Sequence, residues 1–176
     1  MESLHNILQL PDRESKEQDG IKYKKEWIFD FSDPDYQNAF IVVSGIQLSQ
    51  RSSIQLYNIQ DCDEKLLNRF LRRSFPEATH QFTFSGSCLS PFNIDKFAQS
   101  LVKCMPSVRN KLALQNIQMN SDSFSSIIKA ARNAQRIQIA NFKIEFIWDL
   151  DFGKDLQYLT QHITFSSNTT EDDCDK

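Results

Sequence analysis

The chain has 176 residues, of which 40% are hydrophobic and 24% charged, with a formal net charge of −3; that balance suits one domain with its own core and excludes a disordered acidic protein or a polyanion binder. Four glycines and five prolines exclude collagen-like and linker compositions, and no run approaches the ~18 apolar residues that a bilayer crossing requires. The four cysteines, Cys62, Cys88, Cys104 and Cys174, have neither metal-ligand spacing nor small-domain disulfide density, so they read as reduced thiols.

The opening Met1-Glu2-Ser3-Leu4-His5 lacks the basic and apolar regions of a secretory signal, and a cytoplasmic location is the expectation. Residues 1–25 read as a charged flexible segment: Arg13, Glu14, Lys16, Glu17, Asp19, Lys22, Lys24 and Lys25 surround Gly20 and leave too little apolar surface to order it. A folded body is expected over residues 26–168, with an acidic disordered tail over 169–176. The body opens on the apolar pair Phe29/Phe31. Tyr36 to Val43 then fits a short helix or a strand, because the Ile41-Val42-Val43 run satisfies both patterns. After Ile54/Leu56 comes Asp61-Cys62-Asp63-Glu64, which has capping-box spacing with Asp61 as the cap, ahead of Leu66, Leu67, Phe70 and Leu71 on one helix face. Phe82/Phe84 precede Ser90-Pro91, a cap and first-turn proline for a helix that aligns Ile94, Phe97, Leu101 and Val102. Leu112/Leu114 lead to a third helix, capped by Asn120 or Ser121, with Phe124, Ile127, Ile128 and Ala131 on one side. Ile137/Ile139 and Ile163/Phe165 complete the series.

These apolar-x-apolar pairs recur about every 25 to 30 residues. Four positions after the first member of each pair stand Asp33, Asn58, Gly86, Asn116, Asn141 and Ser167, all compatible with a turn. A single strand followed by a helix cannot bury its own apolar face, whereas stacked units can. Each Asn would then hydrogen-bond loop backbone left unpaired between neighbouring units.

Ile54-Gln55-Leu56-Tyr57-Asn58-Ile59, Leu112-Ala113-Leu114-Gln115-Asn116-Ile117 and Ile137-Gln138-Ile139-Ala140-Asn141-Phe142 resemble leucine-rich repeats of the ribonuclease-inhibitor-like class, with one residue fewer before the Asn. Phe82-Thr83-Phe84-Ser85-Gly86 and Ile163-Thr164-Phe165-Ser166-Ser167 match only in the apolar pair, Leu is often replaced by Ile or Phe, and repeat length drifts. The resemblance spans Trp27 to Ser167. It implies an α/β fold, a short right-handed solenoid of strand–helix units with a parallel concave sheet. It also implies a non-enzymatic protein-interaction module. The alternatives are a regulatory adaptor of a GTPase or ubiquitin-ligase complex and, less favoured, a small α/β hydrolase.

The sequence holds no catalytic signature. Asp151-Phe152-Gly153 matches the metal-binding triplet of protein kinases, but the glycine-rich loop, strand lysine and H-R-D loop that kinases also need are missing. Asp149, Asp151 and Asp155 read instead as turn and cap residues around Gly153. His5, His80 and His162 are too far apart in sequence for a zinc pattern, and Cys88 and Cys104 read as small core hydrophobes rather than partners of His80 in nucleophilic catalysis. No metal or cofactor is expected. Asn168-Thr169-Thr170 is a glycosylation triplet without a signal peptide. Arg69, Arg72 and Arg73 cluster where they complement a helix C-terminus, and they make too small a footprint for nucleic acid.

The repeat register makes a sharper expectation, because side chains alternate across a strand and the residues around each apolar pair must face outward. The central column would be Gln55, Thr83, Ala113, Gln138 and Thr164. Ser53, Gln81, Lys111, Arg136 and His162 would lie on one side of it, and Tyr57, Ser85, Gln115, Ala140 and Ser166 on the other. Tyr57, Gln81, Lys111, Gln115, Arg136, Gln138 and His162 are the expected partner-binding residues. Their polar surface, with a basic strip and one aromatic anchor, suits a protein with an acidic patch.

Overall fold

Alternating apolar residues along the strands direct one side of each towards a shared core, and the structure shows how those strands are ordered. A computed structural model describes residues 25–48, 52–89, 91–145 and 163–166. Of the segments expected to be flexible, residues 1–24 and the acidic tail lie outside the described residues, as do Asp149, Asp151, Phe152, Gly153, Asp155, His162 and the Asn168 triplet, whereas Lys25, expected in the flexible segment, begins the first strand. The strands are β1 (Lys25–Asp30), β2 (Ser52–Tyr57), β3 (Thr79–Ser85), β4 (Phe92–Asn93), β5 (Val108–Asn120), β6 (Arg136–Glu145) and β7 (Ile163–Ser166). They form one sheet in the order β1-β2-β3-β5-β6-β7, with β4 also on β5, and every pairing is parallel. The helices α1 (Pro34–Val43), α2 (Glu64–Arg69), α3 (Ala98–Cys104) and α4 (Ser121–Ala130) fall between consecutive strands, as parallel neighbours require. The fold is therefore α/β with a parallel sheet.

The pairing corrects the expected frame of β1. Trp27 lies opposite Ile54 and Phe29 opposite Leu56, so the apolar pair of β1 is Trp27/Phe29, two residues earlier than expected. Alternation runs unbroken from Trp27 to Phe31 and fits either frame; the hydrogen bonds choose. Phe31 follows the strand, its N–H donating to the Tyr57 carbonyl at 3.1 Å, and its ring meets Phe40 edge-on at 4.8 Å. Asp33 is consequently not the counterpart of Asn58 but the cap of α1, accepting from the Asp35 N–H at 2.9 Å. With Pro34 in the first turn, that cap makes the ambiguous segment a helix despite its β-branched residues. Phe40 and Val43 are buried, while Ile41 and Val42 face solvent.

Two other helix starts also differ from the expectation. The helix α2 is capped by Asp63, which accepts from the Leu66 N–H at 2.8 Å, whereas Asp61 closes a single 3-10 turn, Ile59–Asp61. Glu64 does not reach back; it pairs with Lys96 at 2.8 Å. After α2 the chain widens into a π turn, Phe70–Ser74, closed by the Phe75 N–H on the Phe70 carbonyl. The helix expected to begin at Ser90-Pro91 begins later, because Phe92–Asn93 pair with Ile117–Gln118 as β4. A 3-10 turn, Asp95–Phe97, then leads into α3. The apolar spacing was sound, for Ile94, Phe97 and Leu101 are all buried. The strand ladder overrode the proline cap. At α4 the expectation holds: Asn120 accepts from the Ser123 N–H at 2.8 Å, and Phe124, Ile127 and Ile128 are buried.

The three asparagines singled out by their spacing have positive φ, 51° at Asn58, 52° at Asn116 and 44° at Asn141. Asn tolerates this left-handed region better than other residues with a Cβ. Each marks a corner. Beyond Asn116, β5 continues as Ile117–Asn120 beside Phe142–Glu145. The corner side chains are bonded from strand to strand: the Asn141 amide donates to the Asn116 Oδ1 at 2.8 Å, and the Asn58 amide to the Asp30 Oδ1 at 2.8 Å. The Asn116 amide reaches the Gly86 carbonyl and the Ser85 hydroxyl, both at 3.4 Å, so loop backbone is one acceptor among several. Gly86 stands at the same position in its unit because a Cβ there would collide with the Asn116 carbonyl oxygen and lie 3.1 Å from the Phe92 Cβ. We expect Asn116→Ala to cost about 2–3 kcal/mol, from lost hydrogen bonds and left-handed strain, with Asn116→Gly costing less. Gly86→Ala should cost about 1–3 kcal/mol. Chemical denaturation of the three variants measures both effects.

Candidate binding face

The side chains that β-strand alternation directs away from the core fall into three rows across the sheet. In the first, Glu26 is opposite Ser53, Ser53 opposite Gln81, Gln81 opposite Lys111, and Lys111 opposite Arg136. The second runs Ile28, Gln55, Thr83, Ala113 and Gln138. The third holds Asp30 opposite Tyr57, and Ser85, Gln115 and Ala140 in succession; in backbone register, Thr164 of β7 is opposite Gln138 and Ser166 opposite Ala140. Gln81, Lys111 and Arg136 thus share one row, Gln138 lies in the next, and Tyr57 and Gln115 lie in the third, as the spacing predicts. His162 lies outside the described residues.

The face is not uniformly exposed. Thr83 is 3% and Ala113 1% accessible, whereas the central column was expected to be outward and solvated. Short side chains at the middle of a face lie below the tips of their long neighbours, here the half-buried Gln55, Gln81, Lys111, Gln115 and Gln138. Arg136 is exposed. The reachable surface is therefore the set of long polar side chains around a trough of small ones.

Lys111 and Arg136 sit on adjacent strands with no carboxylate partner among the described residues. At the opposite edge, Glu26 and Asp30 were missed by the spacing argument because β1 was framed on Phe29/Phe31; the alternation Glu26-Trp27-Ile28-Phe29-Asp30 was the available signal. Tyr57 donates its hydroxyl to the Gln55 Oε1 at 2.6 Å, and the Gln55 amide in turn donates to Glu26. Burial pushes the Tyr57 hydroxyl pKa up, and the negative charges of Glu26 and Asp30 push it further. Burial would raise Asp30 as well, but hydrogen bonds from Asn58 and Ser32 outweigh it and hold the carboxyl below its ordinary value. Its charged form therefore supports the fold above the usual carboxylate range, and that support fades as pH falls through the lowered value.

Elsewhere several titratable side chains are engaged in the structure itself. His80 Nε2 lies 2.8 Å from the Asn110 amide, and burial lowers its pKa. The Cys104 thiol donates to the Leu71 carbonyl and is pushed up to about 12 by burial. Burial and then the Asp63 charge push Cys62 up to about 12 as well. At pH 8 only roughly one thiol in ten thousand would be ionised at such a site. Iodoacetamide at pH 8 should leave Cys62 and Cys104 unmodified in the folded chain and label both in denaturant, as read by mass spectrometry. Of the basic cluster, Arg69 donates to the Ser44 hydroxyl at 2.7 Å and Arg72 to the Ser100 hydroxyl at 2.9 Å, so two of the three tie neighbouring helical segments together. Among the described residues no group of three or more His, Cys, Asp or Glu side chains could hold a metal ion. No described helix is long and apolar enough to cross a membrane. The chain matches no family model, no curated protein and no solved structure.

Proposed function

We propose that this chain is a non-enzymatic protein-binding module, a short right-handed solenoid of degenerate leucine-rich-repeat-like units. It works in the cytoplasm and takes an acidic patch of a partner protein on the outward face of its sheet. The observation that carries this reading is the Lys111–Arg136 pair: two cations in register on adjacent strands, one half-buried and one exposed, neither neutralised by a carboxylate among the described residues. Two unpaired like charges side by side repel each other, and a partner's carboxylates relieve that repulsion while steering encounter. The strand–helix order, the positive-φ asparagines and the unit-to-unit hydrogen bonds support the repeat interpretation. Gln81, Gln115 and Gln138 supply adaptable hydrogen bonding around the cations, and Tyr57 is the aromatic anchor.

The test is an affinity pull-down from the source cell with the intact chain and with a Lys111→Glu/Arg136→Glu variant, read by mass spectrometry. A partner that binds the intact chain and is lost by the variant is the expected result. Persistence of the same partners, or their complete absence, rejects the face as the binding surface. The variant should match the intact chain in stability to within about 0.5–1 kcal/mol, since neither side chain has a carboxylate partner among the described residues and neither is buried in the core.

A further inference from the structure

The face described above carries charge of opposite sign at its two ends, and a partner that is acidic throughout would be repelled by one of them. Among the described residues, Glu26 begins the first row and Lys111 and Arg136 end it, with the neutral Ser53 and Gln81 between. Asp30 flanks Tyr57 in the third row on the same edge as Glu26. Neither Glu26 nor Asp30 has a cationic partner among the described residues. The chain Tyr57 to Gln55 to Glu26 fixes the phenol ring beside both carboxylates before any ligand arrives, so no ordering cost falls on binding. All three hydrogen bonds that Asp30 accepts, from the Ser32 backbone, the Ser32 hydroxyl and Asn58, go to its Oδ1, which leaves Oδ2 for a cation.

Resting on the reading of this face as a binding surface, we infer that its ligand is a bipolar helical segment of a partner protein. A Lys or Arg of that segment docks on Tyr57 between Glu26 and Asp30, while carboxylates at its other end meet Lys111 and Arg136. Strand spacing sets the distance. From Tyr57 two intervals of ~4.8 Å lead to the strand of Lys111 and three to that of Arg136, and their row lies about 13 Å further along the strands, so the charges of the ligand lie about 16 and 20 Å apart. At ~1.5 Å per residue, the helical positions about 11 and 14 beyond the cation lie roughly 16 and 21 Å away and within about 40° of its direction, so the charges fall on one side of the helix. The cation gains both the ring face and the carboxylates, and the small side chains Ser53, Thr83, Ser85, Ala113 and Ala140 between the two poles let the helix backbone approach the sheet.

The experiment uses the full chain and three fluorescent Ala/Gln-based helical peptides of about 24 residues. One carries Arg and two Glu at the inferred spacing, one has Glu at both ends, and one is bipolar with the charges only a single turn apart. In anisotropy titrations at low salt, the first should bind about tenfold or more tighter than either control. Glu26→Lys, and to a smaller degree Glu26→Gln, should reduce it to the level of the all-Glu peptide. Equal binding of the bipolar and all-Glu peptides, both lost in Lys111→Glu/Arg136→Glu, would retain the binding face and overturn the bipolar ligand. Equal binding of the close-spaced peptide would overturn the register argument. Failure of all three to bind would overturn both readings.

Discussion

Phe82→Ala should lower the unfolding free energy by about 3–5 kcal/mol, read as a fall in the urea midpoint at unchanged slope. Phe82 is fully buried at the middle of β3, with Ile54 opposite on one side and Leu112 on the other. Its ring meets Phe75 edge-on at 4.9 Å and lies 5.9 Å from Phe84. Removing it takes away the transfer energy of a whole ring and leaves a void whose walls belong to two neighbouring strands. Those walls are themselves tied into the parallel ladder and cannot collapse inward cheaply. Phe82→Leu, which keeps most of the volume, should cost less than half as much. A loss below 1 kcal/mol for the alanine variant would mean that this position does not face the core.

The second large effect is a contrast between neighbours. Ile137→Ala should cost about 2–5 kcal/mol, while Arg136→Glu should change stability by no more than about 0.5 kcal/mol. Ile137 is 2% exposed and pairs with Leu112 and Ile163; Arg136 faces solvent. One residue of slip in the pairing would exchange these environments, so the comparison tests the register of β6 itself. Reversed costs would place the cationic row against the core and remove the proposed binding face.

What could be read from the residues was whatever repeats. The positions of Asn58, Asn116 and Asn141 pointed to corners, and all three have positive φ. The apolar pairs from Ile54 onward gave the register that the sheet adopts. Local signals were read less well where two of them compete. Asp61 and Asp63 both look like caps, and only the hydrogen bond to the Leu66 N–H distinguishes them. Ser90-Pro91 looks like a helix start, but pairing of Phe92 with Ile117 is a contact between distant residues that no local pattern displays. The misframed β1 had a consequence for the site, since it hid Glu26 and Asp30 and made the face look basic only. The burial of Thr83 and Ala113 was also beyond reach of alternation, which tells on which side a residue lies and not how tall its neighbours are.

The aromatic side chains described in passing form a nearly continuous contact path. Trp27 stacks with Phe29, Phe29 and Phe31 meet Phe40, Phe40 meets Phe70, and Phe75, Phe82, Phe84 and Phe97 follow in turn. Because the path crosses from β1 through α1 and the π turn into β3 and towards α3, each ring is shared between adjacent segments rather than owned by one. Fraying of β1 would strip Phe40 and then Phe70 of their neighbours, so the free energy of that strand is coupled to that of the middle of the sheet. A core whose segments share side chains this closely loses its structure in one step. Trp27, although it lies at the edge of the sheet, should therefore report the collapse of the whole path rather than the loosening of its end.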